Sequence, residues 1–238
     1  MNKFFQLLIV LFLFISCNQH PVALVQSDYT EVAEMKDHSP IYFLLEITDK
    51  DTILEVNRKN SIGTTNWIFH VDKNTPLKLA IPKIHELQLK KANGMHTNDQ
   101  AENYYSYMDS TSKTLAFKNF QKVVYSFNAF HSKPYIKENL EYHQHYYNIS
   151  VDVRKGNRIY VDGFEVAAKD LNSHLTEFID FAAPNQRVLL YLNVDQDLTF
   201  DAYLTTFLSL QKVAIGLVEL SNTHFIYDRT KLEDCGCM

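Results

Sequence analysis

The chain has 238 residues, of which 46% are hydrophobic and 21% charged, and its formal net charge is −5. These proportions are typical of a folded globular protein, and the length is enough for one large domain or two small ones. The negative charge argues against a nucleic-acid partner, because binding to phosphates needs a basic surface. No stretch after Cys17 is apolar over the about eighteen residues that a membrane-spanning helix needs.

The first seventeen residues have the layout of a secretory signal. Lys3 supplies a positive charge, a run that is apolar except for Gln6 covers Phe4–Ile15, and the small residue Ser16 stands directly before Cys17. A small residue before a cysteine resembles the lipobox of bacterial lipoproteins. The resemblance implies a signal peptide over 1–16, cleavage before Cys17 and a lipid such as palmitate on its thiol. An ordinary signal peptide, or an uncleaved anchor with an incidental cysteine, is the alternative.

A lipid on Cys17 would hold the mature chain to a membrane, since each buried methylene contributes about 0.8 kcal/mol. The implied location is the bacterial cell envelope, with the chain facing the periplasm. The residues after Cys17, NQHPVAL, lack the acidic run that some lipoproteins use for surface export. Residues 17–39 are polar and without a clear period, so we expect a tether there and an ordered chain from about Pro40.

A first α/β module is predicted over 40–130. Short runs rich in β-branched and aromatic residues predict its strands, namely Ile41–Ile47, Ile53–Val56, Trp67–Val71 and one within Leu115–Phe127. A helix is expected between Thr75-Pro76, which suit its start, and Asn93-Gly94, which suit its end. The polar, tyrosine-rich stretch from about His96 to Thr114 is expected to be irregular, with a short helix.

The second half follows a linker predicted over 131–147 and covers 148–228, before a tail at 229–238. Its pattern predicts the order ββαβαβ, with strands and helices at Asn148–Arg154, Arg158–Val161, Val166–Phe181, Val188–Val194, Thr199–Val213 and Gly216–Leu220, the last strand extended by Thr223–Tyr227. This order predicts the α+β class, in which a small mixed sheet carries two amphipathic helices on one face. Val188–Val194 is almost entirely apolar, which favours a central strand buried on both faces.

Two stretches of the chain share one pattern: VDKNTPLKLAIPKIHELQ from Val71 and VDQDLTFDAYLTTFLSLQ from Val194. Both begin with Val-Asp at the end of a predicted strand and end in Leu-Gln. Their apolar helix positions match: Leu77 with Phe200, Ile81 with Leu204, Ile84 with Phe207, and Leu87 with Leu210. Either the first half is a degenerate repeat of the second, or the two converged on a common strand–cap–helix pattern.

The second half resembles the periplasmic domain of the ExbD/TolR family of biopolymer transport proteins. The resemblance rests on ISVDVRKGNRIYVDG, on the helix around DLNSHLTEFI, and on VLLYLNVDQDLTFDAYLTTFLSLQKVAIGLVEL, about a third of the chain. Members of the family use one transmembrane helix with an acidic residue to take protons from the motive force. The apolar segment Phe4–Ile15 has no Asp or Glu, so this proton-handling role does not carry over.

What the resemblance does imply is a non-enzymatic role in protein–protein contact within an ExbD/TolR-type energy-transducing transport system. The implied partners are envelope proteins or a second copy of the chain, bound through sheet edges. The strands near Ile149–Val153 and Gly216–Leu220 are the candidates for such edges. Two other functions stay open, a periplasmic ligand- or glycan-binding lipoprotein and a secreted hydrolase with an unrecognised site.

Few residues suggest chemistry, and we expect no catalytic residue, no metal site and no cofactor. His143 and His145 could be half of a metal site, but they have no nearby ligands at suitable spacing, and a polar linker explains them better. Cys235 and Cys237 could bind a soft metal or change redox state; a solvated tail is the alternative.

Two further groups have a structural interpretation that we favour. Asp195 and Asp197 begin like a calcium loop but lack its glycine and distant glutamate, so Asp197 is predicted to cap the next helix. Asp72 and Asn74 are interpreted in the same way. The tyrosines at Tyr104–Tyr107 could stack on a glycan, but packing in the core accounts for them better.

Overall fold

The computed structural model describes residues 22–48, 51–94, 98–128 and 131–231. Two mixed β-sheets and five α-helices lie within these ranges, which confirms the predicted α+β class. The predicted signal peptide, the predicted lipidation site Cys17, and Cys235 and Cys237 of the tail lie outside the described residues.

The first sheet is built from the first half of the chain. Its elements are β1 (Gln26–Ser27), β2 (His38–Ile47), β3 (Thr52–Asn57), β4 (Asn66–Val71), α1 (Leu77–Ala92), β5 (Asn103–Asp109) and β6 (Leu115–Asn119). The strand order is β3-β2-β4-β5-β6, and β1 pairs with the end of β5. β2, β4 and β5 are parallel, whereas β3 and β6 are antiparallel to their neighbours.

The second sheet is built from the second half of the chain together with β7. Its elements are β7 (Val124–Asn128), α2 (Ser132–Glu138), α3 (Leu140–His143), β8 (Tyr147–Arg154), β9 (Arg158–Val161), β10 (Phe164–Val166), α4 (Leu171–Ala182), β11 (Val188–Asp195), α5 (Phe200–Val213), β12 (Val218–Leu220) and β13 (Thr223–Tyr227). The strand order is β10-β9-β8-β11-β13-β7, and β12 pairs with the start of β11.

β8, β9, α4, β11 and α5 follow the predicted ββαβαβ order, with two differences. Val166, predicted to begin the helix, ends the additional strand β10, and the last predicted strand is divided into β12 and β13. Every residue of β11 is buried and the strand is paired on both sides, as its apolar sequence predicts. Leu175 of α4 and Leu204 of α5 are in the same buried cluster as Val151 and Leu190 of the sheet, so both helices pack on one face.

Two features link the halves more closely than the sequence suggests. β7 follows β6 in the chain, yet it pairs in parallel with β13 at the edge of the second sheet. The segment expected to be a linker, 131–147, contains α2 and α3. Tyr135 and Ile136 of α2 pack on Tyr191 and Phe225, which covers the face of the second sheet opposite α4 and α5.

The expected tether at 17–39 needs correction, because the chain is packed against the first sheet from its first described residues. Val25 is fully buried, β1 pairs with β5, and Val32 pairs with Phe117. Hydrogen bonds from the Ala23 backbone N–H to Asp72 Oδ2 (3.0 Å) and from the Lys73 N–H to the Ala23 carbonyl (2.7 Å) fix the start of this segment. A polar composition was misleading here, because backbone pairing needs no apolar side chains.

Two other expectations are also wrong. The tyrosine-rich stretch from about His96 to Thr114 is not irregular: its middle forms β5, in which Tyr105 and Tyr107 are fully buried. Tyrosine favours strands, and this preference outweighs the polar surroundings. Ile149–Val153 is not an edge, because β8 lies between β9 and β11.

Candidate functional site

The two stretches with a shared pattern meet in the structure. We call residues 72–78 and 195–201 together the crossing. Pro76 and Thr199, which are equivalent in the two stretches, pair as an antiparallel bridge. Each also lies directly before a helix, α1 and α5 respectively.

Hydrogen bonds across the crossing occur in equivalent pairs. Leu77 N–H donates to the Leu198 carbonyl and Phe200 N–H to the Thr75 carbonyl, both at 2.8 Å. In a second pair, Lys78 N–H donates to the Gln196 carbonyl and Asp201 N–H donates to the Lys73 carbonyl, both at 2.9 Å. If each residue of one stretch is replaced by the equivalent residue of the other, the first bond of a pair gives the second. The crossing therefore has local two-fold symmetry.

The aspartates that begin the crossing have the same role. Asp72 Oδ1 accepts the N–H of Asn74 at 2.9 Å, and Asp195 Oδ1 accepts the N–H of Asp197 at 3.0 Å. Both are turns closed by an aspartate side chain. The expectation that Asp197 caps α5 is therefore wrong. Thr199 is the cap, and its hydroxyl accepts from Ala202 N–H.

A cleft of about 290 Å³ lies where the two halves meet beside β6 and β13, and we call it the seam cleft. Its lining comes from the first sheet and the loop after β6, from α5, and from β12, β13 and the turn between them. The residues are Glu102, Lys118, Asn119, Phe120, Lys122, Val123, Phe207, Gln211, Leu220, Ser221, Asn222 and His224. Most of these residues have polar side chains. A polar cleft formed by both halves is the best candidate for a binding site in the described structure.

Lys118 is the most unusual group in the seam cleft, since it is a lysine only 5% exposed. Its Nζ lies 2.5 Å from Glu31 Oε2 and 4.7 Å from the centre of the Phe207 ring. Glu31 belongs to the segment expected to be a tether, and its other oxygen accepts the N–H of Asn119 at 3.2 Å. The pairing explains how a charged amine is buried.

His224 lies at the cleft end of a buried row of hydroxyl groups. Its Nδ1 is 2.8 Å from the Tyr203 hydroxyl, which is 3.4 Å from that of Tyr125, and Tyr125 in turn bonds to Tyr105. Burial, helped by the charge of Lys118, lowers the pKa of His224 to about 3. Burial also raises the pKa values of the three tyrosines. At neutral pH the whole row is therefore uncharged and serves as a set of hydrogen-bond donors and acceptors.

A second polar cluster lies on the outer face of the second sheet. Asp152 Oδ1 is 2.8 Å from His131 Nε2 and accepts from Ser150 Oγ (2.9 Å) and Asn193 Nδ2 (2.9 Å). Asn193 Oδ1 accepts the N–H of Ser132, the first residue of α2, at 2.8 Å. Burial alone would raise the pKa of Asp152. The hydrogen bond from His131 and the charge of His131 act in the opposite direction, and the pKa of Asp152 is lowered overall. These bonds attach α2 to the sheet, so the cluster has a structural explanation.

The residues singled out in the sequence do not form a site together. His143 is buried, with Nδ1 2.6 Å from the Tyr191 hydroxyl, whereas His145 is exposed. Tyr105 and Tyr107 are buried in the core, so they offer no surface on which a glycan could stack. Within the described ranges, no three His, Cys, Asp or Glu side chains are placed to hold a metal ion, and no helix is long and apolar enough to span a membrane.

Sequence reasoning missed the seam cleft because its residues are scattered between Glu102 and His224. Most are polar residues that belong to no motif, and only the pairing of the two sheets brings them together.

Comparison with family models, with curated proteins and with solved structures found no match to this chain.

Proposed function

We propose that the chain is a lipoprotein of the bacterial cell envelope, attached to a membrane by a lipid on Cys17 and facing the periplasm. It acts by protein–protein contact, without a catalytic role, in a transport system of ExbD/TolR type. The observation that carries this proposal is the second sheet, whose ββαβαβ order and two helices on one face agree with the resemblance of residues 148–228.

The crossing supports a further part of the proposal, that the two halves arose by duplication of one module. Convergence on a strand–cap–helix pattern accounts for similar sequences. It gives no reason for equivalent residues to bond to each other in matched pairs. The first module would then be a degenerate copy that has no helix where α4 stands in the second, since β3 runs into β4 through residues 58–65.

The sheet edges indicate where a partner would bind. In the described structure β3 pairs only with β2 and is six residues long, so one row of its backbone groups is free. Its residue Ile53 is 49% exposed. The predicted edge Gly216–Leu220 contains β12, which within the described residues pairs only with β11, so it stays a candidate. A free, partly apolar edge is suited to pairing with another chain.

Site-specific photo-crosslinking in the cells that make the protein tests this proposal. A photoreactive phenylalanine at Ile53 is expected to give one discrete adduct with an envelope protein or with a second copy. The same group at Ser112, in an exposed turn between β5 and β6, is the control and should give none. If neither position gives an adduct and the extracted protein is strictly monomeric, the contact role is contradicted.

A further inference from the structure

We propose that the seam cleft binds a small zwitterion, an amino acid or a dipeptide, with the ligand carboxylate at Lys118 and His224 and its ammonium group at Glu102. This inference does not depend on the ExbD/TolR-type role, because it rests on the geometry of the cleft alone.

Lys118 is placed to donate to a ligand. Of the three N–H groups of its amine, one is directed to Glu31, and the described residues supply no second acceptor. The amine is held by this ion pair and by the ring of Phe207, so its position is set before a ligand arrives. A preset donor in a largely buried place interacts strongly with a carboxylate.

His224 provides a second donor. Its Nδ1 bonds to the Tyr203 hydroxyl, and its Nε2 has no hydrogen-bond partner within the described residues. In the tautomer in which Nδ1 accepts from Tyr203, the ring proton is on Nε2 and can be donated to a ligand. The ring lines the cleft and stays neutral at physiological pH. It therefore contributes an N–H without adding a positive charge next to Lys118.

Glu102 supplies the opposite charge. Its Oε2 accepts from the Tyr104 hydroxyl (2.8 Å) and from Asn119 Nδ2 (2.6 Å), and Oε1 has no partner within the described part of the chain. Lys118 and Lys122 are balanced by Glu31 and Glu102, so the charges around the cleft sum to zero. A zwitterion suits this balance better than a simple anion does, and Asn222 and Gln211 add amide groups for a peptide bond.

The volume of the cleft sets the size of the ligand. About 290 Å³ is near the lower limit of small-molecule sites, which span about 300–1,000 Å³. This space suits one or two amino-acid residues rather than a long peptide.

Calorimetric titration of the detergent-extracted protein with alanylalanine tests the proposal. We expect saturable binding at one site, and at least about a tenfold loss of affinity, or 1.4 kcal/mol, when the ligand carboxylate is amidated or its amine is acetylated. Asn222→Ala and Lys122→Ala, both at exposed positions, should weaken binding about fivefold or more with unchanged melting temperature. Lys169→Ala, in an exposed turn outside the cleft, is the matched control and should bind as the wild type does.

Three results would overturn the proposal. One is the absence of saturable binding at about 10 mM dipeptide. Another is equal binding of the dipeptide and of its amidated or acetylated forms, which would mean that the charged ends are not recognised. The third is binding that Asn222→Ala and Lys122→Ala leave unchanged, which would place the ligand elsewhere.

Discussion

Pro76 and Thr199, 123 positions apart in the chain, pair with each other, and each is the residue before a helix. The backbone hydrogen bonds on either side of this bridge occur in pairs, and in each pair the donor and acceptor stretches are exchanged. The two halves are therefore joined like the subunits of a symmetric dimer. A pair of modules in one chain has the contact geometry of a homodimer without depending on protein concentration.

The crossing can be tested by removing one of its backbone donors. Lys78→Pro deletes the N–H that donates to Gln196, in the first turn of α1, where proline is tolerated. We expect a loss of about 1 kcal/mol in the free energy of unfolding, measured with urea. Lys78→Ala keeps the N–H and loses only the exposed ion pair with Asp197, so it should cost less than about 0.5 kcal/mol. Equal stabilities of the two variants would show that the bond contributes nothing.

Acid should destabilise the protein as the pH falls below about 6.5, because two buried histidines resist protonation. Burial lowers the pKa of His224 to about 3 and, helped by His38, that of His70 to about 4, from an ordinary value of 6.5. The unfolded chain therefore binds more protons than the folded one between these values, and the stability present above pH 6.5 is lost as the pH falls. The expected slope is about 1.4 kcal/mol per pH unit for each histidine.

The histidine contribution can be separated with one variant. His224→Gln keeps a polar side chain beside Tyr203 but cannot take up a proton. Urea unfolding between pH 7 and 4 should show a shallower loss of stability in this variant than in the wild type. Parallel curves for the two proteins would contradict the burial of a neutral His224.

The ion pair of Lys118 predicts a role for the segment before β2. Glu31→Gln leaves the buried amine without a counter-charge. Breaking a fully buried pair costs about 3–5 kcal/mol, and because the Glu31 side chain is 21% exposed we expect about 2–3 kcal/mol. Asp28→Asn breaks the pair of Asp28 with Lys212, in which Asp28 is 71% exposed, and should cost less than about 0.5 kcal/mol. Chemical unfolding of both variants would show whether the first pair is the stronger one.

A lipid on Cys17 would also set the orientation of the protein. Only five residues separate Cys17 from Ala23, which is bonded at the crossing, so the connection spans at most about 20 Å. The crossing should therefore face the bilayer. A fluorophore at Asn74 should be quenched by brominated lipids more than one at Leu217, which lies beside the opposite end of β11. Inserting about 20 Gly/Ser residues after Gln19 should remove the difference.

Local patterns predicted the parts of the fold that depend on local physics. β11 is almost entirely apolar because both its faces are covered. The hairpin of β8 and β9 follows from alternation around Gly156, whose φ of +78° suits a tight turn. The pairing of β7 with β13 could not be predicted in this way. A short strand such as Val124–Asn128 has no feature in its own sequence that selects one sheet over another.

The crossing and the seam cleft were even less predictable from local sequence patterns. The similarity between the stretches at Val71 and Val194 was visible in the sequence, but their hydrogen bonding to each other was not. Lys118 and His224 are 106 positions apart, and neither belongs to a motif. Their proximity depends on long-range strand pairing, which no local spacing encodes.

The intact mass of the membrane-extracted protein, wild type against Cys17→Ala, shows whether the chain is a lipoprotein. We expect a mature wild-type chain that begins at Cys17 and carries acyl chains, and a variant without them that is lost from the membrane fraction. A wild-type chain that keeps residues 1–16 and has no added lipid would contradict the lipoprotein account. The apolar segment Phe4–Ile15 would then be the membrane anchor.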